Sequence, residues 1–155
     1  MQIPAQNQCA PTNLQVTTDI GICAGTRIMT RDGEIPIEHL TAGDRLITRD
    51  CGIAVLLHVT SRPAVVQPIL IRASTLGYTR PNRDMLVTPD TLIHLRDWRA
   101  QVMFGAPTVN IAARRLVDGE FMTVLPPRLI HVYAIALPAD HIIYADGVEL
   151  VAAAA

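Results

Sequence analysis

The sequence predicts an all-β domain, and three observations support this prediction. Of the 155 residues, 50% are hydrophobic and 17% are charged, which is sufficient for one packed core. β-Branched and aliphatic residues occur in short runs, as in strands. Turn dipeptides separate these runs, and Asp32-Gly33 and Asp146-Gly147 are typical of tight hairpins.

The apolar runs and the turns between them give the order of the predicted strands. Residues 27–30 and 34–37 flank Asp32-Gly33, and Pro36 then opens a helical turn that extends to Leu40. The predicted strands cover residues 27–30, 34–37, 44–49, 53–60, 65–73, 84–88, 92–96, 121–125, 131–137 and 140–150, the last interrupted by its turn.

One longer helix is predicted, over residues 111–117. Thr108 or Asn110 would cap its N-terminus, and Asp118-Gly119 would end it.

Three segments are expected along the chain. Residues 1–20 are polar, contain two prolines and form a predicted extended leader. Residues 21–150 form the domain, and residues 151–155 form an alanine-rich tail.

Charge and hydropathy argue against several classes of function. The formal net charge is −1 and every basic residue is arginine, so no basic surface for nucleic acid or for an anionic membrane is expected. The N-terminus lacks a basic segment followed by an apolar one, so no Sec signal peptide is expected. The longest apolar runs, such as residues 53–59, are too short to span a bilayer. A soluble protein is therefore expected, either cytoplasmic or secreted by a route that needs no signal peptide.

The stretch from Gly21 to Gly33 combines a cysteine, a glycine turn, a strand-like run and an Asp-Gly turn. Cys23 is followed by Gly25-Thr26, and Gly43-Asp44 comes later in the same segment. This block resembles the start of a Hint domain, the hedgehog/intein self-processing fold. The resemblance is to the bacterial branch attached to secreted hemolysin-type calcium-binding proteins.

Later segments extend the resemblance over about residues 21–150. Residues 86–91 are similar to the middle block of the family, in which a Thr or Ser is followed three residues later by His. Residues 111–119 resemble the helix that follows, and residues 140–147 resemble the closing block. The resemblance implies a flattened horseshoe of hairpins with a central cleft.

The resemblance also implies a reaction in which a cysteine thiol attacks the carbonyl of the preceding residue and converts the amide to a thioester. The attack is intramolecular, and the leaving amine must be protonated. Carried over to this chain, Cys23 would be the nucleophile, the Ile22 carbonyl the electrophile and Thr88 the hydroxyl that orients the amide. His141 would carry the thiol proton, with Asp140 and Asp146 as alternatives.

Thr91 departs from the family pattern, because it stands where the middle block has its histidine. A hydroxyl cannot exchange protons near neutral pH as an imidazole does. The loss of a general acid–base group costs about 10²–10⁴ in rate, so the reaction is expected to be slow or lost. His94 is a possible substitute, but strand alternation places it on the face opposite Thr91.

Two functions from different classes follow. The first is single-turnover self-cleavage at Ile22–Cys23, in which the leader is the substrate and water or an external nucleophile resolves the thioester. Protein splicing is not expected, because the last asparagine is Asn110. The second is a non-catalytic Hint-like module for a fused or partner protein.

Simpler interpretations stay open for the individual residues. Cys23 can be an inert buried thiol, and His141 a structural histidine. A zinc site formed by Cys23, His94 and His141 would need the fold to bring them together, and their spacing gives no support for it. No metal or other cofactor is therefore expected.

Overall fold

The computed structural model describes residues 21–152, which form two antiparallel β-sheets and a short α-helix. The strands are β1 Ile22–Cys23, β2 Arg27–Thr30, β3 Gly33–Pro36, β4 Arg45–Thr48, β5 Gly52–Val55, β6 His58–Val66, β7 Ile69–Ile71, β8 Met85–Val87, β9 Leu92–Leu95, β10 Val109–Ala112, β11 Met122–Val124, β12 Arg128–Ala136, β13 His141–Ala145 and β14 Val148–Ala152. The helix is α1 Trp98–Phe104, and 3₁₀ turns cover Ile37–His39 and Ala113–Leu116. The all-β prediction is confirmed.

The two sheets share one hydrophobic core. The first has six strands in the order β11-β7-β8-β1-β12-β6. The second has the order β10-β9-β14-β13-β2-β4-β5, with β3 paired to β2. Fully buried side chains from both sheets meet in a single cluster, which includes Ile28, Leu46, Ile71, Ile93 and Ile143. Burial of this shared apolar surface is what holds the sheets together.

The predicted hairpins are present, and their two turns differ in backbone geometry. In the β2–β3 hairpin Thr30 pairs with Gly33, and of the two residues Asp32 and Gly33 only the glycine has a positive φ. In the β13–β14 hairpin Asp146 and Gly147 both have positive φ, 49° and 87°. The second turn therefore has the type I′ geometry that the Asp-Gly dipeptide favours, and the first does not.

The prediction of a helix over residues 111–117 is wrong. Residues of β10 pair with β9 over four positions, and the chain then forms the 3₁₀ turn Ala113–Leu116. Strand pairing overrides the local helical preference of this segment.

The helix of the structure lies earlier, at Trp98–Phe104. The Asp97 side chain caps it by accepting a hydrogen bond from the Arg99 N–H, and Gly105 ends it in the left-handed conformation.

Strand β14 carries a buried carboxylate that ties it to β9. The Glu149 side chain is only 3% exposed, and Arg96 donates from Nε to both of its oxygens, at 3.1 and 2.8 Å. Arg49 and Arg80 approach the same carboxylate at 3.5 and 4.0 Å. The charge is therefore compensated where it is buried, as a buried carboxylate requires.

The last strand of the second sheet extends past the boundary expected between the domain and its tail. Strand β14 continues to Ala152, two residues into the segment expected to be a tail. The predicted leader, residues 1–20, lies outside the described residues, as do residues 153–155. Of the helices within residues 21–152, none has the length and apolar character needed to cross a membrane.

Candidate active site

Strand β1 carries the segment on which the sequence prediction centres, and it is held on both sides. Ile22 pairs with Tyr133 of β12 and with Val87 of β8, and Cys23 pairs with Val132. The antiparallel register with β8 continues to place Gly21 beside Thr88, at the point where β8 ends.

Two buried hydroxyls meet at the start of this strand. Thr88 Oγ1 and Thr91 Oγ1 are 2.6 Å apart, and each lies 3.2 Å from the carbonyl oxygen of Gly21. Thr88 is 0% exposed and Thr91 is 2% exposed. The family resemblance implies that the Ile22 carbonyl is the electrophile. The two hydroxyls contact the carbonyl one residue before it, that of Gly21.

The three contacts share two protons. Each threonine hydroxyl has one proton to donate, so at most two of the three contacts are hydrogen bonds at one time. Either both hydroxyls donate to Gly21 O, or one donates to the other and the second donates to the carbonyl. In both arrangements the carbonyl of Gly21 accepts at least one hydrogen bond in a dry site, where such a bond is strong.

The turn that carries these hydroxyls is fixed by the backbone around it. The N–H of Thr91 donates to Thr88 O at 3.1 Å, which closes the turn. Ala113 donates to Thr91 O, and Arg114 donates to Pro89 O, both at 2.9 Å. The segment that the sequence predicted as a helix therefore holds the threonine turn in place.

Gly21 lies close to β12, and the contact leaves no room for a side chain. A Cβ atom built on Gly21 would lie 1.9 Å from Cγ1 of Val132 and 3.4 Å from the carbonyl oxygen of Tyr133. Glycine is the residue that allows this approach of one strand to the other.

Cys23 is the free cysteine within the described residues, and its thiol is buried. The residue is 2% exposed, and burial raises the pKa of the thiol to about 11, while the positive charge of Arg128 acts in the opposite direction. At neutral pH the thiol is therefore protonated, and the thiolate is the nucleophilic form.

His141 begins β13 and is 6% exposed. Its Nδ1 lies 3.2 Å from Oδ2 of Asp50, in the turn between β4 and β5. His141 pairs with Ala152, and the pairing of Leu150 with Ile93 continues to place Ala152 beside Thr91. Two strand spacings of about 4.8 Å put the backbones of His141 and Thr91 about 10 Å apart.

The other candidate site residues of the closing and middle blocks do not share the surroundings of Thr88 and Thr91. Asp146 is buried and accepts hydrogen bonds from Arg83 Nε at 3.1 Å and Arg27 N at 3.4 Å, so it joins the last hairpin to β2. Asp140 is half-buried in the turn before β13. His94 faces away from Thr91 and lies 2.7 Å from Oδ1 of Asn110.

A sequence comparison decides the family. The family model of the Hint domain matches residues 20–151, which is most of the chain. This chain is a Hint domain. Among curated proteins, none matches its sequence.

Solved structures show the same fold at low sequence identity. The bacterial intein-like domain from Clostridium thermocellum is 17% identical, with a TM-score of 0.55 over 86% of this chain and 98% of that one. The gp41-1 intein is 13% identical, with a TM-score of 0.52 over 84% and 96% of the two chains. A variant of the Ssp DnaB mini-intein is 10% identical, with a TM-score of 0.56 over 90% and 96%.

Two residues of this candidate site are not among the site residues that the sequence predicts. Gly21 supplies the carbonyl that both hydroxyls contact, but glycine has no side chain that would mark it as a functional residue. Asp50 contacts His141, which is 91 positions away in the sequence, so no local motif indicates this pair. Within residues 21–152, no three His, Cys, Asp or Glu side chains come together as metal ligands.

Proposed function

We propose that this Hint domain derives from a cysteine-dependent autoprocessing module, and that self-cleavage at Ile22–Cys23 is slow or lost in this chain. The observation that carries the proposal is a contrast within one site. Thr88 and Thr91 form a hydrogen-bond network on a main-chain carbonyl at the start of β1. The thiol of Cys23, two residues further along the same strand, is buried and protonated.

The proposed reaction balances without a cofactor. Sγ of Cys23 bonds to the carbonyl carbon of Ile22, the C–N bond to Cys23 breaks, and the freed amine takes up a proton. Because the reacting groups are neighbours in the chain, no second-order encounter is needed. Water or an external nucleophile then resolves the thioester, since Ile22 has no nucleophilic side chain. The leader is released and the thiol is restored.

The proposed roles of the other residues come from the family resemblance, and their positions in the fold support them. Thr88 orients the backbone at the start of β1 through its hydroxyl. His141 carries the thiol proton, and its place beside Ala152 at the level of Thr91 supports this role. Asp140, half-buried one residue before His141, is the alternative proton carrier.

Two features slow the proposed reaction, and they act on different steps. With a pKa of about 11, the Cys23 thiol is ionised in only about one molecule in 10⁴ at pH 7, which slows the attack. Thr91 offers a hydroxyl where the family has an imidazole, so protonation of the leaving amine loses about 10²–10⁴ in rate.

The substitution Thr91→His tests the proposal. We expect this variant to cleave about 10²–10⁴ times faster than the wild type, because an imidazole can protonate the leaving amine. The intact mass of the purified chain, followed over a day with and without dithiothreitol, measures the rate. A fragment that begins at Cys23 is the expected product, and dithiothreitol should increase its amount by attacking the thioester.

The double variant Thr91→His with Cys23→Ala is the control, and it should stay uncut. Circular dichroism checks that each variant is folded. If folded Thr91→His stays intact under all conditions, or if the fragment begins at Ile22, the assignment of the reaction is wrong.

The second candidate function is a non-catalytic Hint-like module that binds a fused or partner protein. The burial of Cys23 favours this second function, because a buried and protonated thiol packs like a small hydrophobic side chain. This function predicts that the wild type and Cys23→Ala behave alike, and that Thr91→His stays uncut.

A further inference from the structure

Asp50 joins two parts of the molecule that are distant in sequence. Its Oδ2 lies 3.2 Å from Nδ1 of His141, and its Oδ1 accepts a hydrogen bond from the Ile142 N–H at 3.1 Å. One carboxylate therefore contacts both the ring of His141 and the backbone of the next residue. In addition, the Arg49 N–H donates to Ile142 O at 2.8 Å, which fixes the turn that carries Asp50 against β13.

The histidine on which Asp50 acts faces the interior of the domain. His141, Ala152 and Thr91 lie in one row across β13, β14 and the start of β9. The row two residues further along these strands consists of Ile143, Leu150 and Ile93, all of which are buried in the core. Because side chains two residues apart on a strand share a face, His141 and Thr91 lie on the core face of the sheet.

We infer that Asp50 is a positioning residue that sets the tautomer of His141, and this inference rests on the proposed function of His141 as proton carrier. A carboxylate only accepts hydrogen bonds, so Nδ1 of the neutral ring must carry the proton in this contact. The other nitrogen, Nε2, is then the unprotonated one. It is the nitrogen that takes up and releases a proton, as in sites where a carboxylate orients a histidine base.

The second hydrogen bond of Asp50 keeps the carboxylate from turning away from the ring. One carboxylate oxygen accepts from the Ile142 N–H while the other contacts the ring, so movement of the carboxylate away from the ring would also break a backbone hydrogen bond. The ring of His141 is nearly buried, which limits competition from water for the same contact. The pair is therefore arranged to hold one tautomer.

The test is the tautomer of His141 in the full chain, measured by ¹⁵N–¹H correlation spectroscopy at a pH where the ring is neutral. We expect the Nδ1–H tautomer in the wild type and a shift toward Nε2–H in Asp50→Ala. Asp50→Asn keeps the size and one acceptor oxygen of the side chain, and should give a mixture of tautomers. Asp32→Ala, which removes a carboxylate from the β2–β3 turn, is the matched control and should leave His141 unchanged.

The same variants separate this inference from the proposed function. In the Thr91→His background, Asp50→Ala should slow cleavage by about 10-fold or more, whereas Asp32→Ala should not. If Thr91→His does not cleave, the proposed function fails, but the tautomer measurement still decides the role of Asp50. An Nε2–H tautomer in the wild type, or the same tautomer in the wild type and Asp50→Ala, would overturn the inference.

Discussion

Cys23 supplies the thiol that thioester formation needs, but the surroundings of this thiol keep it protonated. The side chain lies on a strand between β8 and β12, and burial raises its pKa to about 11. The reactive cysteines of enzymes are more often partly exposed and close to positive groups or helix N-termini. The positive charge of Arg128 only partly offsets the effect of burial on Cys23.

The raised pKa of Cys23 has a consequence for stability. The thiol ionises near pH 9 in the unfolded chain and near pH 11 in the folded one. Between these values the unfolded chain binds fewer protons, so raising the pH favours unfolding. We expect the free energy of unfolding of the wild type to fall by about 1 kcal/mol relative to that of Cys23→Ala between pH 8 and pH 10. Urea titrations at both pH values measure this difference.

The comparison with Cys23→Ala removes the contributions of all other titrating groups, since both proteins contain them. A difference in stability that stays constant from pH 8 to pH 10 would show that the folded thiol ionises normally. In that event the thiol is more reactive than a pKa of about 11 allows.

At the scale of the secondary-structure elements, the contact of Gly21 with β12 fixes the position of the start of β1. Val132 is β-branched and stiff at χ1, so its methyl group cannot easily turn away from a new side chain. We expect Gly21→Ala to lower the free energy of unfolding by about 1–3 kcal/mol, because the core is overpacked at this contact. Chemical denaturation of the full chain measures the loss.

A double-mutant cycle gives the control for this contact. In the Val132→Ala background the methyl group is absent, so Gly21→Ala should cost less there than in the wild type. If the two substitutions are additive, the contact between Gly21 and Val132 does not limit the residue type at position 21.

The fold was predictable where the signal is local. Asp146-Gly147 marks a two-residue turn because both positions need positive φ, and the structure has this geometry. The sequence does not indicate α1, because this helix is only seven residues long and leaves Val102 and Met103 exposed, which gives little helical periodicity. The pairing of β10 with β9 is a tertiary effect that local preference does not report.

The site was predictable in part, for a related reason. Thr88 and Thr91 could be singled out because they lie three residues apart in one motif, and their hydroxyls do meet. The burial of Cys23 depends on the strands that flank β1, and the contact of Asp50 with His141 depends on the second sheet. Spacing in the sequence contains no information on either.

At the scale of the whole molecule, the site lies where the chain passes from one sheet to the other. β8 belongs to the six-stranded sheet and β9 to the second sheet, and the turn from Thr88 to Thr91 connects them. β1 comes from the first sheet, and β13 and β14 come from the second. The packing of the two sheets therefore sets the position of His141 relative to the hydroxyls and the Gly21 carbonyl.

We propose that this Hint domain keeps two hydroxyls on the Gly21 carbonyl, next to the proposed cleavage site, but lacks an activated thiol. The most direct measurement is the intact mass of the wild-type chain at pH 7.5, followed from minutes to a day with dithiothreitol present. We expect most of the chain to be uncut after several hours, with at most slow formation of a fragment beginning at Cys23. Complete conversion to that fragment within minutes would contradict it.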